Sequence, residues 1–198
     1  MADFTGKVVL VTGAGKGIGR NVAEAFASQG ATVAVNDLTP VNLDETMALI
    51  LGAGGKVKAY VEDIAKKMPI QALLNSVLDD FGRIDILVNS AEVEPQKTVL
   101  EMDEWDWQRT LDVNLSGPFL LTQSVGRIMK ESGGGVIVHM GERSTGSEQR
   151  AAYFTSKAGL AAFSALAAYE LSEFNIRVYY YQPEEKSDPV RQILELCS

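Results

Sequence analysis

The sequence predicts a doubly wound parallel α/β sheet. Short, uninterrupted apolar runs alternate with amphipathic stretches from end to end. Uninterrupted runs suit strands covered on both faces, whereas a half-exposed strand alternates apolar and polar residues. The connections are short, and short connections between alternating elements imply right-handed crossovers with helices on both faces of the sheet.

The first strand is Val8, Val9, Leu10 and Val11, followed by Gly13, Gly15, Gly17 and Gly19 and then by helical spacing at Ile18, Val22, Ala25 and Phe26. Thr32 to Asn36 is the second strand, ending in Asp37. Leu43 to Leu51 reads as a helix stopped by Gly52, Gly54 and Gly55, since glycine accepts the left-handed turn that ends a helix. Val57 to Val61 is a third strand running into Asp63-Ile64. From Met68 to Phe81, residues Ile70, Leu73, Leu74, Val77, Leu78 and Phe81 share one helical face, closed by Gly82. Ile84 to Val88 is the fourth strand, ending at Asn89-Ser90-Ala91-Glu92. A long helical region spans about Asp103 to Glu131, with a bend expected at Gly117-Pro118. Val136 to Met140, Ala151 to Phe174 and Ile176 to Tyr181 complete the alternation as strand, long helix and sixth strand. SDPVRQILELCS then carries one short amphipathic helix through Val190, Ile193, Leu194 and Leu196.

At 198 residues, 46% hydrophobic and 22% charged, the chain is long and apolar enough to bury one core, so a single domain over 1–198 is expected. A net charge of −8 offers no electrostatic footprint for nucleic acid or an anionic membrane. The lone Cys197 excludes an internal disulfide framework. MADFTGKVVL lacks the basic-then-apolar pattern of a signal peptide, and no apolar run reaches membrane-spanning length. A cytoplasmic protein is the expectation.

The glycine turn is the most informative stretch. A helix opening straight after a strand and a glycine-rich turn points free amides and its positive dipole end at one spot, which suits a pyrophosphate. Any Cβ there would hold the phosphates off the backbone. Asp37, 18 residues after Gly19, stands where a carboxylate accepts the hydroxyls of an adenosine ribose. In sheets of this kind ligands lie beyond the carboxyl ends of the strands. Asp63, Asn89 and the segment after Met140 therefore share a crevice with the turn. Each also has a plainer reading, Asp63 as a helix cap and Asn89 as a partner for loop backbone. Tyr153 and Lys157 lie four apart on a helix and so share a face. An ammonium beside a phenol favours the phenolate and lowers its pKa, which would suit proton transfer to or from a hydroxyl or carbonyl.

With these residues in view, the chain resembles the short-chain dehydrogenases/reductases from Lys7 to about Pro183. The matching pieces are TGAGKGIG (Thr12 to Gly19), Asp37, Asp63-Ile64, Asn89-Ser90-Ala91 in place of Asn-Asn-Ala-Gly, Asn114, and YFTSK (Tyr153 to Lys157). The resemblance implies a Rossmann-type sheet of about six strands and an NAD(H)-dependent oxidoreductase acting on a carbonyl or alcohol. It implies that Gly13, Gly15, Lys16, Gly17, Ile18 and Gly19 form the pyrophosphate turn. Asp37 would bind the adenosine ribose and favour NAD over NADP, while Asp63 and Ile64 hold the adenine. Asn89 and Ala91 would flank the cofactor. Tyr153 would exchange the proton, Lys157 would hold the nicotinamide ribose, and Asn114 would support a water in the relay. Lys16 dissents mildly, because a basic residue there accompanies NADP in some members.

The departures from the pattern share one location. The serine that binds the substrate carbonyl aligns with Glu142, and the stretch from there to Tyr153 is about two residues short; counting back from Tyr153 lands near Met140. Ser144 or Ser147 could substitute, and Ser144 is taken as the candidate. Glu92 replaces the glycine of Asn-Asn-Ala-Gly, Glu184 follows Pro183 where glycine is usual, and Tyr179 replaces an asparagine. An ionised glutamate cannot donate a hydrogen bond, and its charge would raise the pKa of a nearby tyrosine. By this resemblance, the family's substrate lid and last strand are expected to be absent after Pro183. Two readings follow: the oxidoreductase, and a catalytically impaired nucleotide-binding module acting through a protein partner. A homodimer through the helices Asp103 to Glu131 and Ala151 to Phe174 is expected, with the face of Ala158, Ala161, Ala162 and Ala165 at the contact or packed on its own sheet.

Overall fold

The computed structural model describes residues 3–142, 149–183 and 188–198. Six strands, β1 (Val8–Thr12), β2 (Thr32–Asp37), β3 (Lys56–Val61), β4 (Ile86–Asn89), β5 (Gly135–Met140) and β6 (Ile176–Tyr181), form one sheet in the order β3-β2-β1-β4-β5-β6. Every neighbouring pair is parallel. The chain winds outward from β1 to β3, returns, and winds the other way from β4 to β6. The reversal between β1 and β4 opens a crevice at their carboxyl ends, where a ligand fits.

Among the described residues seven α-helices cover the sheet: α1 (Gly17–Ser28), α2 (Pro40–Gly52), α3 (Lys67–Phe81), α4 (Glu104–Leu111), α5 (Gly117–Glu131), α6 (Ala151–Leu171) and α7 (Pro189–Cys197). Successive strand residues point to opposite faces, so β1 feeds two cores. Val9 and Val11 join Val33, Val35, Phe26, Leu43 and Ile50 on one face, where Ile193 and Leu194 of α7 also pack. Val8 and Leu10 join Leu87, Ile137, Leu73, Val77, Leu121 and Val125 on the other. Burial on both faces is the physical reason β1 has no polar alternation. Gly82, at φ 74°, ends α3 in the left-handed conformation. Asp188 caps α7 by accepting from the amides of Val190 (3.1 Å) and Arg191 (3.2 Å).

The expected elements are present with ends shifted by a few residues. Just before Gly117-Pro118, where a bend is expected, α4 and α5 are joined by a π-helical turn at Asp112–Ser116. Gly117 serves packing, because a Cβ there would stand 2.6 Å from the Ile64 carbonyl oxygen. The widened turn buries Asn114, where the i+5 spacing swings a side chain off the regular helical stripe. Among the described residues no helix is long and apolar enough to cross a membrane.

His139, on β5, is fully buried between Asn89 (Nδ2 to Nδ1, 3.1 Å) and Thr122 (Oγ1 to Nε2, 3.3 Å). Burial, with the nearby Lys157 charge, pushes its pKa down to about 3. The folded imidazole thus stays neutral while the unfolded one takes a proton below about pH 6.5. Between these values the unfolded state binds more protons, so stability is complete above the window and is lost as pH falls through it. His139 is the chain's single histidine, and carboxylates titrate lower. Urea unfolding at pH 7, 6 and 5 should show a loss whose slope approaches about 1.4 kcal/mol per pH unit. A flat profile above pH 5 would contradict this placement.

Candidate active site

The turn after β1 is pinned from several sides. Ala14 N donates to Asn36 O (3.0 Å), Thr46 Oγ1 donates to Ala14 O (2.9 Å), and the Arg20 guanidinium reaches the Gly15 carbonyl. Gly13, at φ 64°, passes so close to the end of β4 that a Cβ would stand 2.5 Å from Ala91 Cα. A Cβ on Gly19 would collide with the Gly13 carbonyl oxygen, whereas one on Gly17 meets nothing within 4 Å. The first two glycines therefore serve chain packing, and Gly17 (φ 59°) faces open space at the start of α1. Arg20 N makes a 3.4 Å bond to Lys16 O, so the amides before it precede the helical ladder and point outward.

These residues open on a cleft of about 270 Å³ lined by Gly13, Lys16, Gly17, Ile18, Gly19, Asp37, Asp63, Ile64, Ala91 and Glu92, among others. Gly15 lies behind it, its amide donating to Asp37 Oδ2 at 3.0 Å, while Asp37 Oδ1 accepts from Thr39 N at 3.0 Å. Asp37 is thereby aimed across the mouth of β2. Asp63 is held by Arg109 in a two-pronged pair of 2.9 and 3.2 Å and also accepts from the Ala65 amide. Burial would raise this carboxyl, but the Arg109 and Ala65 hydrogen bonds outweigh it and hold it below the usual range. Arg109 itself lines the cleft. It carries no motif, and the 46 residues separating it from Asp63 leave no spacing signal. Asn89 does not line the cleft; its side chain turns to His139 in the core.

Tyr153 and Lys157 come together on the first turns of α6, both almost fully buried. Two glutamates meet them. Tyr153 Oη lies 3.0 Å from Glu92 Oε2 and 3.2 Å from Glu142 Oε2. Lys157 Nζ pairs with Glu92 Oε2 at 2.7 Å and donates to the Met140 carbonyl at 2.8 Å. Arg150 lies 4.6 Å over the Tyr153 ring, 3.9 Å from Glu142, and ion-paired with Glu94. A phenol has one proton, so it can satisfy only one of the two carboxylates. Ionising it would place a third negative charge among them. Burial first, then the Glu92 and Glu142 carboxylates, push Tyr153 well above the usual tyrosine range. Of the two opposed expectations, a phenol lowered by Lys157 and one raised by a nearby glutamate, the second prevails here: the ammonium is matched by Glu92, and burial penalises the phenolate. The Asn114 side chain bonds to backbone and to Ser156. Its Oδ1 accepts from Val93 N at 2.8 Å, and its Nδ2 donates to Val93 O and Ser156 Oγ at 2.9 and 3.1 Å. Ser144, Ser147 and Glu184 lie outside the described residues.

The family model for short chain dehydrogenases matches residues 7–190. The chain belongs to that family. D-threitol dehydrogenase of Mycolicibacterium smegmatis is 41% identical over 180 residues, 90% of this chain and 69% of that protein. A metagenomic short-chain oxidoreductase in complex with NADP superposes with a TM-score of 0.92 at 29% identity, covering 98% of this chain and 91% of that one. NAD+-bound xylitol dehydrogenase gives a TM-score of 0.88 at 32% identity, covering 98% and 77%. Short-chain dehydrogenases thus bind either nicotinamide dinucleotide, and the cleft here suits such a group unevenly. At the β1 turn it fits: Gly17 leaves room, helix amides face outward, and the buried Ser90 Oγ has no hydrogen-bond partner among the described residues. At the β4 and β5 ends, the Glu92 side chain already engages both Tyr153 and Lys157.

Replacing either glutamate by glutamine removes a charge that opposes the phenolate. Glu92→Gln and Glu142→Gln should each lower the Tyr153 pKa, and the double variant should lower it further. Titration followed by the Cζ resonance of labelled tyrosine reads this directly. An unmoved Tyr153 in the double variant would show that burial alone sets its value.

Proposed function

We propose that this chain is an NAD(H)-dependent oxidoreductase interconverting an alcohol and a carbonyl on a small molecule. The observation that carries the reading is the convergence of Tyr153 and Lys157 on Glu92, a residue lining the same cleft as the glycine turn and Asp37. The turn amides and Ser90 would hold the pyrophosphate, Asp37 the adenosine ribose, and Ile64 with Asp63 the edge of the adenine pocket. The bound nicotinamide supplies or accepts the hydride. Tyr153 gives its phenolic proton to the carbonyl oxygen in reduction and takes the hydroxyl proton in oxidation. Lys157 stabilises the phenolate that forms, once its charge is released from Glu92. Asn114, its side chain braced by Val93 and Ser156, would help hold a water in the proton relay. Ser144 is the candidate for polarising the carbonyl.

Asp37 favours NAD because its carboxylate would repel a 2′-phosphate; Lys16, exposed beside the turn, pulls the other way. Two further expectations belong to this reading. The chain would work in the cytoplasm, and it would pair through α5 and α6, whose outer surfaces expose Phe119, Leu166 and Tyr169.

Tyr153→Phe should cut turnover on a panel of alcohols and carbonyls by at least about 100-fold; undiminished turnover would remove Tyr153 from the mechanism. Asp37→Ala should narrow the preference for NADH over NADPH by at least about tenfold, since juxtaposed like charges carry a penalty of that order. Titration calorimetry with each cofactor measures the ratio, and an unchanged ratio would reassign the discrimination.

A further inference from the structure

The sheet topology divides the cleft. A dinucleotide with its pyrophosphate on the β1 turn sits at the switch point, so one half reaches over β2 and β3 and the other over β4 and β5. The β2–β3 side presents Asp37, Asp63 and Ile64, whose side chains leave the cleft open. The β4–β5 side presents Glu92 at the end of β4 and Glu142 at the end of β5, with Tyr153 and Lys157 behind them. Lys157 is the only ammonium at that end among the described residues lining or backing the cleft. It is 4% exposed, and it is held by the Met140 carbonyl and Glu92. Whatever binds the β4–β5 side through Lys157 must displace the Glu92 carboxylate.

We propose that Glu92 is a built-in competitor for the nicotinamide-riboside half of the cofactor. The cleft accepts an adenosine diphosphate moiety freely, and the riboside adds little affinity until Glu92 lets go of Lys157. This rests on the nucleotide-binding reading above and adds the residue that sets which part of the nucleotide contributes to binding. Two features support it. Glu92 is bound twice, to the ammonium at 2.7 Å and to the phenol at 3.0 Å, so one carboxylate oxygen satisfies both groups that would meet ribose hydroxyls. Its backbone is also fixed, because Thr12 Oγ1 accepts from the amides of Ser90 (3.2 Å) and Ala91 (3.3 Å) immediately before it. The side chain therefore cannot leave by a movement of the loop start; it must swing out by its own rotamers. A carboxylate with water available to it has that freedom, and Glu92 is 42% exposed at the side chain. The device is thus a displaceable plug and not a wall.

The test is calorimetric titration of the full chain with ADP and with NADH, for the wild type, Glu92→Gly and Glu92→Gln. ADP carries the adenosine and both phosphates but no second ribose, so the ratio of the two dissociation constants isolates the β4–β5 half. The wild type should bind ADP and NADH within about threefold of each other. Glu92→Gly should bind NADH at least about tenfold more tightly than the wild type while leaving ADP unchanged, as expected for charge-assisted hydrogen bonds newly offered to the ligand. Glu92→Gln keeps the side chain's size without its charge and should recover part of that gain; it also serves if the glycine variant folds poorly. Wild-type NADH binding tenfold tighter than ADP would overturn the plug and leave the nucleotide reading intact. The plug is overturned in the same way if neither variant gains NADH affinity although ADP binds. Failure of both ligands to bind wild type and variants alike would overturn the plug together with the nucleotide reading beneath it.

Discussion

The approach of the β1 turn to the end of β4 is the constraint on which the site depends. Gly13 lies against Ala91 with no room for a Cβ, and Gly19 lies as tightly against Gly13. Thr12 Oγ1 takes the amides of Ser90 and Ala91. These contacts join the two strands at which the winding of the sheet reverses, and they hold residues 90 to 92 beside the glycine turn. Position 92 is then a place where backbone alone would leave the cleft continuous. A glutamate there is aimed at Lys157 by the same packing that builds the cleft.

The electrostatics of the pair follow from burial as much as from neighbours. A nearly inaccessible phenol resists ionisation before any charge is considered, and the two carboxylates add to that resistance. Lys157 would oppose both effects, but its charge is shared with Glu92 across 2.7 Å. Distance between Tyr153 and Lys157 is therefore insufficient to predict the chemistry. The state of Lys157, free for a ligand or matched by Glu92, decides whether the ammonium acts on the phenol.

Much of this was legible in the sequence, for reasons that can be named. The apolar run Val8 to Val11 announced a doubly covered strand because each of its residues enters one of two cores. The glycine turn and Asp37 were legible because backbone geometry demands glycine at particular positions. Tyr153 and Lys157 were legible because four residues make one helical turn. What escaped depended on contacts between distant segments. Arg109 meets Asp63 across 46 residues, and Arg150 reaches Tyr153 over its ring rather than at a hydrogen-bonding edge. The π-turn at Asp112–Ser116 escaped because Gly117-Pro118 drew the bend to itself, although that glycine is required by its approach to Ile64. Both glutamates stood out as departures; that one of them would seize the lysine was a matter of tertiary placement.

The two departures are best understood together. A glutamate introduced beside a buried phenol would be an isolated negative charge, which a protein interior tolerates poorly. Each of the two has a cation at hand: Lys157 for Glu92, and Arg150, 3.9 Å away, for Glu142. Arg150 also covers the Tyr153 ring, so its charge is held at the site by an aromatic face as well as by acids. Acids and bases thus surround one neutral phenol, with Lys157 paired to Glu92 and Arg150 shared between Glu94 and Glu142. On the reading proposed above, a nicotinamide riboside arriving at Lys157 would have to open an ion pair before making its own contacts, whereas the side of the cleft where Asp37 and Asp63 are already held by backbone and Arg109 would ask for no such exchange.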